Sequence, residues 1–309
     1  MNKPPSSTSD RTLWWGFGVL AAMLVASLIG FAWLPQAPVA SADSRAGNPG
    51  VSGPGGSATP RRTPTPSPTP EPPKVTDPAD APMYRMELTL SACPSFTPRK
   101  GVVPRAELRP YLESIMTCLV ASHQDSLQRA GLPTVAPKLA EDDKVGDSPC
   151  SGPEEPPTGW AALYCSGNNT IYYHPEWKPQ HGPYVGVMAH EYAHHLQWLT
   201  GILDEVHERE AKAKTEPNGQ IKANEVSRRT ELQAQCIAGA VLNGGWSPLR
   251  SREVYDEFIE GTSTMNPEGA ATHGTGRANN RWIAAGGTSA GPTHYKACNT
   301  FTAPADQVD

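Results

Sequence analysis

The sequence predicts an α+β fold for residues 83–309, mainly helical with a small sheet, behind an N-terminal transmembrane helix and a disordered Pro-rich linker. Three features predict it. Residues 13–34 form an uncharged apolar run of 22 residues. Residues 35–82 hold 13 of the chain's 33 prolines and no Phe, Trp, Tyr, Leu, Ile or Met. Beyond them, segments with apolar residues at helical spacing flank two short strand-like runs.

The apolar run LWWGFGVLAAMLVASLIGFAWL is long enough, at 1.5 Å per residue, to cross a hydrocarbon core about 30 Å thick. Trp14 and Trp15 stand at one end and Phe31 and Trp33 at the other, the places of an aromatic belt. Lys3 and Arg11 precede it closely, so residues 1–12 are expected to be a cytoplasmic tail and the remainder extracytoplasmic. Cleavage after the small-x-small sequence Ala40-Ser41-Ala42, giving a secreted protein, is the alternative. The run exceeds a signal h-region, which favours an uncleaved anchor.

Residues 35–82 cannot bury enough apolar surface to offset the entropy of ordering them, so they are expected to be an extended spacer. All six cysteines lie beyond it, at 93, 118, 150, 165, 236 and 298. An even number outside the cytoplasm favours disulfides, with fifteen possible connectivities. The net charge of −5, and the lack of any Lys/Arg block longer than two, exclude a nucleic-acid footprint.

Within the folded part, Leu112, Ile115, Met116, Leu119 and Val120 predict a helix after Pro104. A polar stretch follows to Thr158, and its part from Glu141 could cover a site. Ala161–Tyr164 and Thr170–Tyr173 read as strands around the turn signal Ser166-Gly167-Asn168-Asn169. From Tyr184 a helix is expected to run to about Thr200-Gly201. The downstream segment from Val226 to Leu242 is read as another, whose Ala238, Gly239 and Ala240 would let it approach the first closely.

The Tyr184 helix carries His190-Glu191-Tyr192-Ala193-His194, an HExxH. Residues i and i+4 share a helix face, so both imidazoles can reach one Zn²⁺, and Glu191 can hold a water and take its proton. Chance would give this pattern on the order of once in a hundred such chains. His195, one residue off that face, should point away. A catalytic zinc needs a third protein ligand and an open position. Gln197 and Thr200 exclude the metzincin extension, which requires Gly and His there. Glu231, sharing a face with Gln235 on the downstream helix, is the better candidate. Glu225, Glu205 and His207 compete, in or beside a charged run that reads as a solvated helix and loop.

These blocks resemble the bacterial "putative neutral zinc metallopeptidase" family. The resemblance lies in HEYAHHLQ (190–197), SRRTELQAQCIAGA (227–240), the C-terminal THGTG, RW and ACNTF, and the earlier YCSGNNTIYYHPEW (164–177). It implies a zincin-type, gluzincin-like site with one Zn²⁺ per chain held by His190, His194 and Glu231, and Glu191 as general base. Gln235 stands where the family commonly carries an Asp that orients a ligand histidine, so a weaker, uncharged acceptor is expected there. Such supporting changes cost about 10- to 100-fold in affinity or activity.

The resemblance also implies the pairing Cys93–Cys118, Cys150–Cys165 and Cys236–Cys298. It places His273 in the C-terminal block, where it is a candidate for stabilising the oxyanion, with a structural histidine as the alternative. Thr170–Tyr173 would be the edge strand to which a peptide substrate adds, or else an interior strand. Asn168-Asn169-Thr170 matches a glycosylation sequon by pattern only. The expected function is a membrane-anchored extracytoplasmic zinc endopeptidase acting on peptides or proteins of the cell envelope. The alternative is a zinc-stabilised envelope binding protein with little or no turnover.

Overall fold

The computed structural model describes residues 71–89, 93, 96–142, 149–150, 160–263, 267–287 and 294–309. These lie within one compact unit, residues 62–309. The expected tail, transmembrane helix and linker as far as residue 70 fall outside the described residues, as does most of the polar stretch before Thr158. Among the described residues, no helix is long and apolar enough to cross a membrane.

Seven helices and a three-stranded sheet are described: α1 (Arg105–Arg129), β1 (Lys138–Glu141), β2 (Ala162–Cys165), β3 (Thr170–Tyr173), α2 (Tyr184–Leu199), α3 (Ile202–Lys214), α4 (Gly219–Asn243), α5 (Arg252–Ser263), α6 (Pro267–His273) and α7 (Gly276–Gly287). The mainly helical α+β reading stands. In α1, Leu112, Ile115, Met116 and Leu119 of the predicted stripe are buried, Val120 is half-buried, and Leu108 joins them. The helix ends where Gly131 takes φ +68° and the Leu132 N–H returns to the Leu127 carbonyl, which satisfies an end carbonyl that would otherwise lack a donor.

Between α2 and α3 the chain turns on Gly201, at φ +80°. A Cβ there would meet the Pro73 carbonyl oxygen at 2.0 Å, so the position needs glycine for both conformation and space. That contact corrects the predicted boundary at residue 83. Residues 71–82 belong to the fold: Pro78 and Ala81 are buried, and Arg209 of α3 bonds the Thr76 carbonyl and pairs with Asp77.

Helix α4 is the hub. Every residue from Leu232 to Leu242 is buried. Gly239, one of the small residues predicted to admit the HExxH helix, faces α7. A Cβ on Gly239 would lie 2.2 Å from the Ile283 carbonyl oxygen, and one on Gly286 would lie 1.9 Å from that of Cys236. The two backbones approach closely because neither position has a side chain. The six cysteines pair as Cys93–Cys118, Cys150–Cys165 and Cys236–Cys298, the order the resemblance implies.

The sheet has the order β1-β3-β2, with β1 parallel and β2 antiparallel to β3. The strand β1 falls in the stretch the sequence reading left without structure. Its presence makes Thr170–Tyr173 the central strand, buried along its whole length, so the edge-strand expectation for it is wrong. The edge beside α2 belongs to β2.

Candidate metal centre

Helix α2 and helix α4 bring His190, His194 and Glu231 together, with one ligand atom from each within 4.8 Å of the others. Glu231 Oε2 lies 3.2 Å from His190 Nε2 and 3.4 Å from His194 Nε2, and the two nitrogens are 3.2 Å apart. A tetrahedral cation with N and O donors at 2.0–2.1 Å sets those donors about 3.3 Å apart. The triangle therefore has the size of one face of such a tetrahedron. Glu231 Oε2 is buried without a hydrogen-bond partner, and the charges facing it are imidazoles. Two imidazole nitrogens and one such carboxylate suit zinc, and the residues fit the group that the motif implies.

The charges in the triangle support one another. Burial acts to raise the Glu231 carboxyl, but His273, His194 and His190 hold it well below the usual range. Burial acts to lower His194, but Glu231 and Glu191 raise it to about 9. Glu191 is buried beside the triangle, and that burial raises its carboxyl despite the pull of the two histidines. Its Oε2 accepts the Tyr164 backbone N–H at 2.7 Å, so β2 fixes where the carboxylate stands. The Tyr164 hydroxyl reaches His195 Nδ1 at 3.2 Å, which ties the same strand to the other face of α2.

His273, at the end of α6, sets Nε2 3.7 Å from Glu231 Oε2 and is half exposed at the mouth of the site. The competing ligands lie elsewhere. Glu205 pairs with Arg209 and Glu225 with Arg229, while His207 is exposed on α3. His195 is fully buried away from the triangle, with Nε2 on the Val135 carbonyl.

The expected role of Gln235 needs correction. It is buried against the cleft, but among the described residues its Oε1 has no hydrogen-bond partner, and neither does His190 Nδ1. The bond to a ligand histidine comes instead from Gln197, whose Oε1 lies 2.8 Å from His194 Nδ1. In the sequence, Gln197 stands out only as a residue that excludes the metzincin ligand pattern. Its spacing from His194, i+3 on a helix, was a signal that the two side chains could meet.

A cleft of about 890 Å³ opens beside the triangle and meets it at His190. Trp160, Ala161 and Ala162 line one wall, Phe258 and Thr262 another, and His190 and Glu191 the floor. The His174 N–H bonds the Ala161 carbonyl, while the Tyr164 N–H points to Glu191. By the alternation of an antiparallel ladder, Ala162 shares the outward edge with Tyr164.

Fold and site together are those of a helix-borne HExxH centre completed by a glutamate from a second helix. Residues 181–246 match the family described as "Putative neutral zinc metallopeptidase". The matched segment contains α2, α3 and α4, which supply all three residues of the triangle. Among curated proteins, the chain is 29% identical over 162 residues to "Uncharacterized protein YpfJ" of Escherichia coli (strain K12), covering 45% of this chain and 53% of that one. It is 26% identical over 180 residues to "Uncharacterized protein Rv2575" of Mycobacterium tuberculosis (strain ATCC 25618 / H37Rv), covering 46% and 55%. The chain thus spans about half the length of the curated relatives it matches. No solved structure matches it significantly.

Proposed function

We infer that the protein is a zinc metalloendopeptidase. The observation that carries this reading is the donor triangle of His190, His194 and Glu231 with the buried Glu191 beside it, His190 and Glu191 lining a cleft large enough for a peptide. When bound, zinc would supply Lewis acidity, polarising the scissile carbonyl and acidifying a water. The chain's own residues do the rest. Glu191, held by the Tyr164 N–H, takes the proton of the attacking water and delivers it to the leaving amine. His273, at the mouth, donates to the developing oxyanion. The outward edge of β2 at Ala162 pairs with an extended substrate, in place of the Thr170 strand named from sequence.

The reading extends to an anchor at residues 13–34 and substrates in the cell envelope. Its test is cleavage of a mixed-peptide library by the zinc-loaded, oxidised protein, with Glu191→Gln in parallel. Wild type should cleave, the variant should lose about 10²- to 10⁴-fold, and both should hold one zinc per chain. Cleavage retained in the variant overturns the mechanism.

The second reading, a zinc-stabilised binding protein with little turnover, draws on one observation. His190 Nδ1 lacks the acceptor that usually makes a ligand histidine more basic. It predicts one zinc and no cleavage in wild type and variant alike.

A further inference from the structure

The triangle is buttressed on one side by a chain of hydrogen bonds that leads away from the cleft. Gln197 Oε1 meets His194 Nδ1 at 2.8 Å, and Gln197 Nε2 donates to the Thr230 carbonyl and to Gln233 Oε1, each at 2.9 Å. Gln233 Nε2 in turn donates to the Tyr84 hydroxyl at 2.5 Å and to the Cys298 carbonyl at 3.3 Å. Gln197 and Gln233 are fully buried, and Tyr84 nearly so.

The orientation of both amides follows from their partners. A backbone carbonyl can only accept, so each NH₂ group must face its carbonyl, Thr230 or Cys298. Gln197 then presents an oxygen to His194, and an oxygen can only accept. The proton of the neutral imidazole is therefore on Nδ1, and the lone pair is on Nε2, the atom facing Glu231 and His190. Reversing either amide would set oxygen against oxygen inside the protein, which costs about 1–3 kcal/mol per unpaired group.

We propose that Gln197 and Gln233 are positioning residues of the metal centre, linking His194 to Tyr84 in the 71–89 segment and to Cys298 in the C-terminal segment. These two flanking segments thereby set the readiness of His194 to bind zinc, although neither reaches the cleft through this chain. The proposal rests on the reading of the triangle as a zinc site.

The test is zinc affinity of the full chain, measured by competition with a chromophoric chelator and paired with thermal melting of each variant. Gln197→Met and Gln233→Met keep the volume and remove the bonds. Each should weaken zinc by about 10- to 100-fold, and the double variant no more than the worse single, because both act through one route. Gln197→Glu keeps an acceptor at His194 but faces the Thr230 carbonyl, so it should lower the melting temperature while holding zinc within about 5-fold. Tyr84→Phe removes one hydroxyl and should cost affinity in the wild-type background but not in Gln233→Met.

Additive losses in the double variant, or affinity that tracks melting temperature through the whole series, including Gln197→Glu, would reduce the glutamines to packing and overturn the proposal. Unchanged affinity in the Met variants, with wild type holding one zinc, overturns it while leaving the zinc reading intact. A wild type that holds no zinc removes both.

Discussion

Two faces of α2 carry histidines one residue apart in sequence and opposite in use. On the cleft face, His190 and His194 turn Nε2 toward a carboxylate that no hydrogen bond satisfies. On the core face, His195 has both nitrogens engaged, by the Val135 carbonyl and the Tyr164 hydroxyl, among the rings of Tyr164, Tyr192 and Trp198. His123 of α1 resembles His195, with Nδ1 on the Leu119 carbonyl and Nε2 at the Tyr295 hydroxyl. Burial does not separate ligand from structural histidine here, since all four are largely or fully buried. What separates them is whether the second nitrogen meets a saturating partner or an unsatisfied carboxylate.

The largest test of this contrast pairs one substitution from each face. Glu231→Ala removes the charged member of the triangle, and zinc affinity should fall by more than the 10- to 100-fold that a supporting residue costs. Folding stability of the zinc-free protein should fall as well, because the buried imidazoles lose the carboxylate that offsets their burial. His195→Leu should exchange that loss of zinc for a loss of stability alone. It removes the donor that serves the Val135 carbonyl, at about 1–3 kcal/mol, and leaves the Tyr164 hydroxyl with Asn169 alone, while the triangle still binds zinc. Chelator competition and urea unfolding on both variants would read the exchange, and a His195 variant without zinc would break the contrast.

Much of this contrast was legible in the sequence, because helix periodicity alone puts 190 and 194 on one face and 195 off it. The same periodicity set Glu231 on a helix whose buried side packs against α2. What stayed hidden depends on contacts distant in sequence. Strand β1, Lys138–Glu141, is half exposed and has no alternation to mark it, yet its parallel pairing moves β3 from the edge to the centre. Residues 71–82 read as spacer by composition, but their order comes from Arg209 and from the gap left at Gly201. The Gln197–Gln233–Tyr84 chain joins three elements, and no single segment announces it.

The core histidines also give a pH signature opposite in sign to that of His194. Burial lowers His123 to about 4 and His195 to about 3, both from an ordinary 6.5. The unfolded chain therefore takes up these protons first as pH falls. Stability from each is fully present above about pH 6.5 and is lost progressively below it, to about pH 4 for His123 and pH 3 for His195. The loss amounts to at most about 1.4 kcal/mol per pH unit for each group. His123→Gln, which cannot take up a proton, should flatten the fall in unfolding free energy between pH 6 and 4.5 by about that amount. An unchanged slope would mean that His123 is charged in the fold.

The smallest expected effect falls on Gln235, the residue that sequence reasoning placed in support of a ligand. Its Oε1 is buried and unpartnered, so substitution to Ala removes no acceptor from either imidazole. Zinc affinity should stay within about 3-fold of wild type, well short of the loss that follows when a ligand's supporting bond is cut. Stability should change little, since relief of a stranded carbonyl opposes the loss of packing in a wall of the cleft. A tenfold loss of zinc in Gln235→Ala would show that the amide does turn to His190 once the cation is bound. Both ligand histidines would then be supported from behind, and the asymmetry between the His190 and His194 sides of the triangle would disappear.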